Sequence, residues 1–216
     1  IELGIFMVKF LFFSIIVKPL ILIILGLNVR HRERLPQQGP AILIANHNSH
    51  LDTLTLMSLY PSTKVKMVRP VAAMDYFMRN KLLSWFSLKV IGIIPINRKG
   101  GGERRDPLAS ISTALENGDI VIFFPEGSRG EPEKLTTFKS GIAHLARKHP
   151  DIPIYPIFMH GLGKSLPKGD PLFVPFFCDI FIGEAMKWQG NRQTFMEEVS
   201  QSMNALASEG HFPKWE

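Results

Sequence analysis

His47 and Asp52 lie five residues apart in the run Asn46-His-Asn-Ser-His-Leu-Asp52, directly after the apolar stretch Ala41-Ile-Leu-Ile-Ala45. A histidine with a carboxylate on one ring nitrogen can take a proton from a hydroxyl at neutral pH through the other. On one continuous helix this separation puts the pair on different faces; across a strand-to-helix turn they can meet. Ser49 or Asn48 is expected to cap a helix starting near His50, with Asp52 in its first turn, where a carboxylate is favoured. A capped helix with an incidental histidine explains the pair alone equally well. Asn46, Ser49 and the strand-end position favour chemistry, because α/β folds place ligand sites there.

Three more polar clusters follow apolar runs: Gly92-Ile-Ile-Pro-Ile-Asn-Arg98, Phe124-Pro-Glu-Gly-Ser-Arg-Gly130 and Ile152-Pro-Ile-Tyr-Pro-Ile157. Gly127 lets backbone approach a ligand, and Arg129 offers a forked donor suited to phosphate. Glu126 could orient an arginine or accept from a substrate hydroxyl. Arg98 repeats the pattern at the end of Ile93–Ile96. Two arginines and one base at strand ends suggest a phosphate held beside a hydroxyl. Lys139 in Phe138-Lys-Ser-Gly141 can add charge, although an ordinary surface lysine is the simpler account.

The elements that must hold these groups are legible as alternation. Strands are expected at about 41–45, 64–69, 91–96, 120–124, 153–159 and 177–182, and helices at about 50–60, 74–88, 106–117, 138–148 and 191–208. This predicts an α/β fold with a mixed, mostly parallel sheet flanked by helices. The 216 residues suffice for one such domain, and 45% hydrophobic with 20% charged residues excludes a disordered chain. A net charge of +6 calls for an anionic partner. No recognition helix, zinc spacing or aromatic-interleaved basic platform is present, which sets nucleic acid aside. Cys178 stands alone in the chain and reads as a buried structural thiol. Gly161-Leu-Gly-Lys-Ser165 lacks the leading glycine of a P-loop, since position 158 is Phe158.

Leu3–Leu27 is almost wholly apolar and is followed by Arg30-His-Arg-Glu-Arg34, the ending of a cytoplasmic-face membrane anchor rather than of a secretory signal. Pro19 predicts two helices, 3–17 and 19–27, and the cost of Lys9 and Lys18 at mid-bilayer favours a half-inserted hairpin over a span. The expected division is a membrane-binding segment over 1–30 and a catalytic domain over 31–216.

Taken together, the motifs resemble those of the glycerolipid acyltransferases, the lysophosphatidic acid acyltransferase family. Its N-H-x-S-x-x-D is matched at Asn46, His47, Ser49 and Asp52, and its G-x-x-x-I-x-R at Gly92, Ile96 and Arg98. F-P-E-G-[ST]-R spans Phe124–Arg129, the following F-K-x-G gives Phe138, Lys139 and Gly141, and the fourth motif is Ile152–Ile157. The resemblance implies that His47 deprotonates a lysolipid hydroxyl, supported by Asp52. The alkoxide would then attack the thioester of acyl-CoA or acyl carrier protein without an acyl-enzyme, giving a diacyl product. It further implies that Asn46, Ser49, Arg98, Glu126, Gly127, Ser128, Arg129 and Lys139 form the substrate-binding set, Arg98 and Arg129 holding the phosphate. It calls for no metal and no cofactor beyond the acyl donor, and for a membrane-associated protein at a cytoplasmic face, such as a bacterial inner membrane. The expected acceptor is 1-acylglycerol 3-phosphate, giving phosphatidic acid, while the acidic residues in Gly130-Glu-Pro-Glu133 keep glycerol 3-phosphate, lyso-ornithine lipid and other lysophospholipids as alternatives.

Two rivals use the same residues differently. A thioesterase or lipase would want a G-x-S-x-G elbow, which the sequence lacks, though water could replace its serine. A silent lipid-binding scaffold would need neither His47 nor Asp52. Among the remaining histidines, His31 and His149 are expected at the solvated surface, His50 at a helix start and His144 on a helix face; His160 could approach the site. Trp85, Trp188 and Trp215 are expected in the core or facing the membrane.

Overall fold

The computed structural model describes residues 2–74, 80–97, 106, 108–130, 135–165 and 177–212. Among these, the apolar runs become seven strands of one sheet: β1 Leu27–Arg30, β2 Ala41–Ala45, β3 Val68–Ala73, β4 Ile94–Ile96, β5 Ile120–Phe123, β6 Ile154–His160 and β7 Cys178–Ile182. Their order is β1-β7-β6-β2-β5-β3-β4, parallel throughout except for the antiparallel β6–β7 pair. β2 (Ala-Ile-Leu-Ile-Ala) and β5 (Ile-Val-Ile-Phe) are buried at every position, as continuous apolar strands in the middle of a parallel sheet must be.

Successive side chains leave a strand on opposite faces, so β2 feeds two cores. Leu43 and Ala45 join Phe13, Val17, Ile21, Leu56 and Tyr60 beneath the N-terminal helix and α2 (Asp52–Ser58). Ile42 and Ile44 face the other layer. That layer holds α4 (Ala109–Glu116), α5 (Gly141–Lys148) and α7 (Arg192–Glu209). α3 (Lys81–Trp85, prolonged by a π-helical turn over Phe86–Ile91) precedes β4, and the short α6 is Leu162–Ser165.

The N-terminal hairpin expected from Pro19 does not form. Helix α1 (Glu2–Leu11) continues through π-helical turns at Phe12–Val17 and Leu20–Ile24, and Leu3–Ile23 runs as one helix. Pro19 keeps helical angles, φ −58° and ψ −42°, while the Lys18 N–H donates five residues back to the Phe13 carbonyl. Such widened turns absorb the proline, which lacks the N–H that a regular helix would miss. The helix then stops at Gly26 (φ +66°), and residues 27–30, read from sequence as part of the anchor, are the edge strand β1 paired with β7. Lys9 is 6% exposed and donates to the Ile91 carbonyl at 3.0 Å; burial and then Arg69 pull its pKa down to about 8, with Asp119 opposing.

Two other boundaries move. Val65–Met67 is a 3-10 turn and the strand follows it at Val68–Ala73, later than expected. Ile91, expected in a strand, ends the helix instead, because Gly92 (φ +81°) adopts the left-handed conformation that closes a helix.

Candidate active site

β2, β5, β3, β4 and β6 are mutually parallel along the sheet, so the polar clusters after β2, β4 and β5 emerge at one edge. β2 and β5 are neighbours, with Ala41 opposite Ile120 and Ile44 opposite Phe123. This offset persists beyond the strands. His47 meets Glu126 and His50 meets Arg129 at the same sequence separation of 79.

His47 Nδ1 lies 2.8 Å from Asp52 Oδ2. A carboxylate can only accept, so Nδ1 carries the proton and Nε2 the lone pair. Among the described residues, Nε2 has no hydrogen-bond partner, and the side chain keeps 21% exposure. Asp52, 1% exposed, is fixed by more than the histidine: Oδ2 also accepts from the backbone N–H groups of Asn48 at 2.7 Å and Ser49 at 2.8 Å. The expected cap is therefore inverted. The helix begins at Asp52, and this carboxylate reaches back to the turn, while Ser49 Oγ accepts from the Leu51 N–H at 3.2 Å. The His47 ring is stacked on Phe124, centroids 4.2 Å apart and planes inclined by 20°.

Three of the predicted contact residues are buried and hydrogen-bonded within the protein. Asn46 is 2% exposed; its Nδ2 donates to the Met159 carbonyl and to Asn48 Oδ1, and its Oδ1 accepts from the Met159 N–H, all at 2.8 Å. It clamps the end of β2 to β6 and is turned away from solvent. Ser49 is fully buried. Glu126 is 3% exposed, and its Oε1 accepts from the His47 N–H at 3.4 Å. Burial pushes its carboxyl up, against the pull of the Thr136 hydroxyl and the His47 amide.

The accessible cations are Arg129 of the same turn and Lys139 just before α5. Arg129 donates to His50 Nε2, and burial together with that guanidinium depresses the His50 pKa. Lys139 crosses directly over Gly127, where a Cβ would lie 2.8 Å from its Nζ. Gly127 has φ +74° and Ser128 is exposed. Gly127→Ala should therefore push Lys139 aside and cost about 1–2 kcal/mol of backbone strain; thermal unfolding checks the strain, and the KM of an anionic substrate checks the lysine.

Arg98 lies outside the described residues, as does Trp215; β4 ends at Ile96, two strands from β5 on the same edge. His160, at the end of β6, stacks on Phe212 at 3.6 Å. His31 and His149 are not simply solvated: His31 Nε2 pairs with Glu209 and His149 Nε2 with Ser112 Oγ, both at 2.8 Å. Phe124 and His50 were missed as site residues. Only the β2–β5 register reveals them.

A family model described as Acyltransferase matches residues 26–160, the stretch from the start of β1 to the end of β6. The chain belongs to the acyltransferase family. This acyltransferase chain is 31% identical over 144 residues to the chloroplastic 1-acyl-sn-glycerol-3-phosphate acyltransferase LPAT1 of Arabidopsis thaliana, covering 66% of this chain and 38% of that protein. It is also 31% identical over 166 residues to the alpha 1-acyl-sn-glycerol-3-phosphate acyltransferase of Mus musculus, covering 75% and 55%. It thus spans roughly two-fifths to a little over half of the curated relatives it matches. Its fold is that of the crystal structure of the 1-acyl-sn-glycerophosphate (LPA) acyltransferase PlsC from Thermotoga maritima. The TM-score is 0.77 at 19% identity, over 100% of this chain and 83% of that one.

Proposed function

We propose that this acyltransferase moves a fatty acyl group from a thioester, acyl-CoA or acyl carrier protein, to the free hydroxyl of 1-acylglycerol 3-phosphate, giving phosphatidic acid. The observation that carries this reading is the His47–Asp52 pair, with its proton fixed on Nδ1 and Nε2 left to act as base beside the neighbouring turn, which carries Arg129 and is crossed by Lys139. Nε2 takes the hydroxyl proton as the oxygen attacks the thioester carbonyl. The tetrahedral intermediate collapses by breaking the C–S bond, and the imidazolium returns the proton to the departing thiolate. Asp52 holds the imidazolium as its charge appears.

Arg129 and Lys139 are assigned to the acceptor's phosphate, joined by Arg98. Arg129→Ala should raise KM for phosphate-bearing acceptors roughly tenfold to hundredfold, the range of one charge-assisted hydrogen bond, with a much smaller effect on kcat. Initial rates across acceptor concentrations decide this, and an unchanged KM removes the role.

The N-terminal helix is assigned to the membrane at the cytoplasmic face. It buries Phe13, Val17 and Ile21 against the sheet while Leu3, Ile15, Ile16 and Ile23 are more than half exposed. A helix packed along the domain in this way suits one leaflet better than a span. The test of the reaction is thiol release from palmitoyl-CoA with and without 1-acylglycerol 3-phosphate. Acceptor-dependent release that yields phosphatidic acid supports the reading. Release without acceptor replaces it by a thioesterase, and activity only with another acceptor or with acyl carrier protein redraws the substrates.

A further inference from the structure

Helix α3 carries a second apolar face that the reaction does not use. Lys81–Trp85 contributes no buried residue, and its continuation Phe86–Ile91 buries only Ser87, Val90 and Ile91. On the other side Leu82 is 73% exposed, Trp85 47% and Leu88 41%, spaced at three residues so that they form one stripe. About three turns of ordinary surface helix would not spend leucine and tryptophan on water.

This helix is joined to the N-terminal one. Phe86 meets Phe12 edge-to-face with centroids 5.1 Å apart, and Lys9 of the first helix donates to the Ile91 carbonyl at the end of the second. Lys9 is thereby turned inward, leaving the outer surface of the first helix apolar on the side where it adjoins α3. The charges that α3 itself carries have one sign. Lys81 and Lys89 are exposed, the segment Lys81–Ile91 contains no acidic residue, and Lys66 nearby lies over the Phe6 ring at 5.8 Å. A leucine–tryptophan stripe with lysines at its margins is suited to the headgroup–acyl boundary of an anionic bilayer, where tryptophan is favoured and lysine meets lipid phosphate.

We propose that α3 is a second membrane-docking element, lying in the same anionic leaflet as the N-terminal helix, with Leu82, Trp85 and Leu88 immersed. This rests on the membrane assignment of the first helix and adds to it a contact that fixes the molecule's rotation about that helix. A single in-plane helix leaves that rotation free; two adjoining ones do not. Because Gly92 turns α3 directly into β4, the bilayer surface then sits at a set distance from the sheet edge that carries the His47 site.

Trp85 provides its own probe. The full chain with Trp188→Phe and Trp215→Phe keeps Trp85 as its one indole, and neither replaced residue has been assigned a role in the reaction. It is floated with vesicles of phosphatidylcholine and phosphatidylglycerol, unlabelled or brominated near the top of the acyl chains. The expected result is co-flotation, a blue-shifted Trp85 emission and strong quenching by the brominated lipid. Leu82→Asp with Leu88→Asp should weaken vesicle partitioning about tenfold or more. Co-flotation with Trp85 unquenched overturns the docking of α3 and leaves the first helix as anchor. If the unquenched protein also self-associates in sedimentation, the stripe is a contact between copies. Failure to float with any vesicle overturns both assignments.

Discussion

His47→Ala is expected to lower acyl transfer by about two to four orders of magnitude, the range attributed to a positioned general base. The expectation is large because, among the described residues, no other base takes the place of Nε2, the ring of His50 being engaged at its own Nε2 by Arg129. Asp52 faces the other nitrogen, and Glu126 is buried behind the His47 backbone. The fold should survive. His47 is a partly exposed ring on a turn whose backbone is held independently: Gly130 N–H donates to the His47 carbonyl at 2.9 Å, and Asp52 keeps its two amide donors. Thermal unfolding and product formation, measured on one preparation, separate the two effects. Transfer at the parent rate in a folded variant would remove the proposed base, and would make a silent scaffold or another nucleophile the better account.

Asp52→Asn should lower kcat by roughly three orders of magnitude, with a visible loss of stability as well. The amide can be seated in two ways, and each fails differently. With its NH2 toward His47, it forces Nδ1 to accept, puts the proton on Nε2 and silences the base; substitution of a triad aspartate by asparagine costs about 10⁴-fold in kcat for this reason. With its oxygen toward His47 and the two backbone amides, the tautomer is kept. The carboxylate charge is then gone, and the NH2 occupies the place of Oδ1, a buried atom with no hydrogen-bond partner among the described residues. An unsatisfied buried donor costs about 1–3 kcal/mol. The measurement is kcat at saturating donor and acceptor alongside a denaturant midpoint. An unchanged kcat would reduce Asp52 to a helix-start residue that anchors the turn and nothing more.

The two variants differ in what they report. Loss in His47→Ala with a normal midpoint locates a chemical group. Loss in Asp52→Asn with a lowered midpoint locates the group that both orients the base and ties Asn48 and Ser49 into the turn.

Local sequence determined much of this protein. Ala41–Ala45 and Ile120–Phe123 declared themselves as central strands because burial on both faces removes any polar alternation, and the polar clusters after them announced a loaded sheet edge. The His47–Asp52 pair was equally legible, because five residues across one turn is a local relation. In three places where expectation failed, a non-local partner decided. Pro19 stays inside a helix because one side of that helix is buried on the sheet, and Leu27–Arg30 is a strand because Cys178–Ile182 lies beside it. Asn46 became a clamp through Met159, 113 residues away. Phe124 and His50 entered the site through a β2–β5 register that no short-range pattern encodes. Turn chemistry and periodicity act over a few residues and can be read from the chain. Strand pairing joins segments far apart, and its register follows from how whole faces bury one another, so the tertiary structure alone set which side chains surround the histidine.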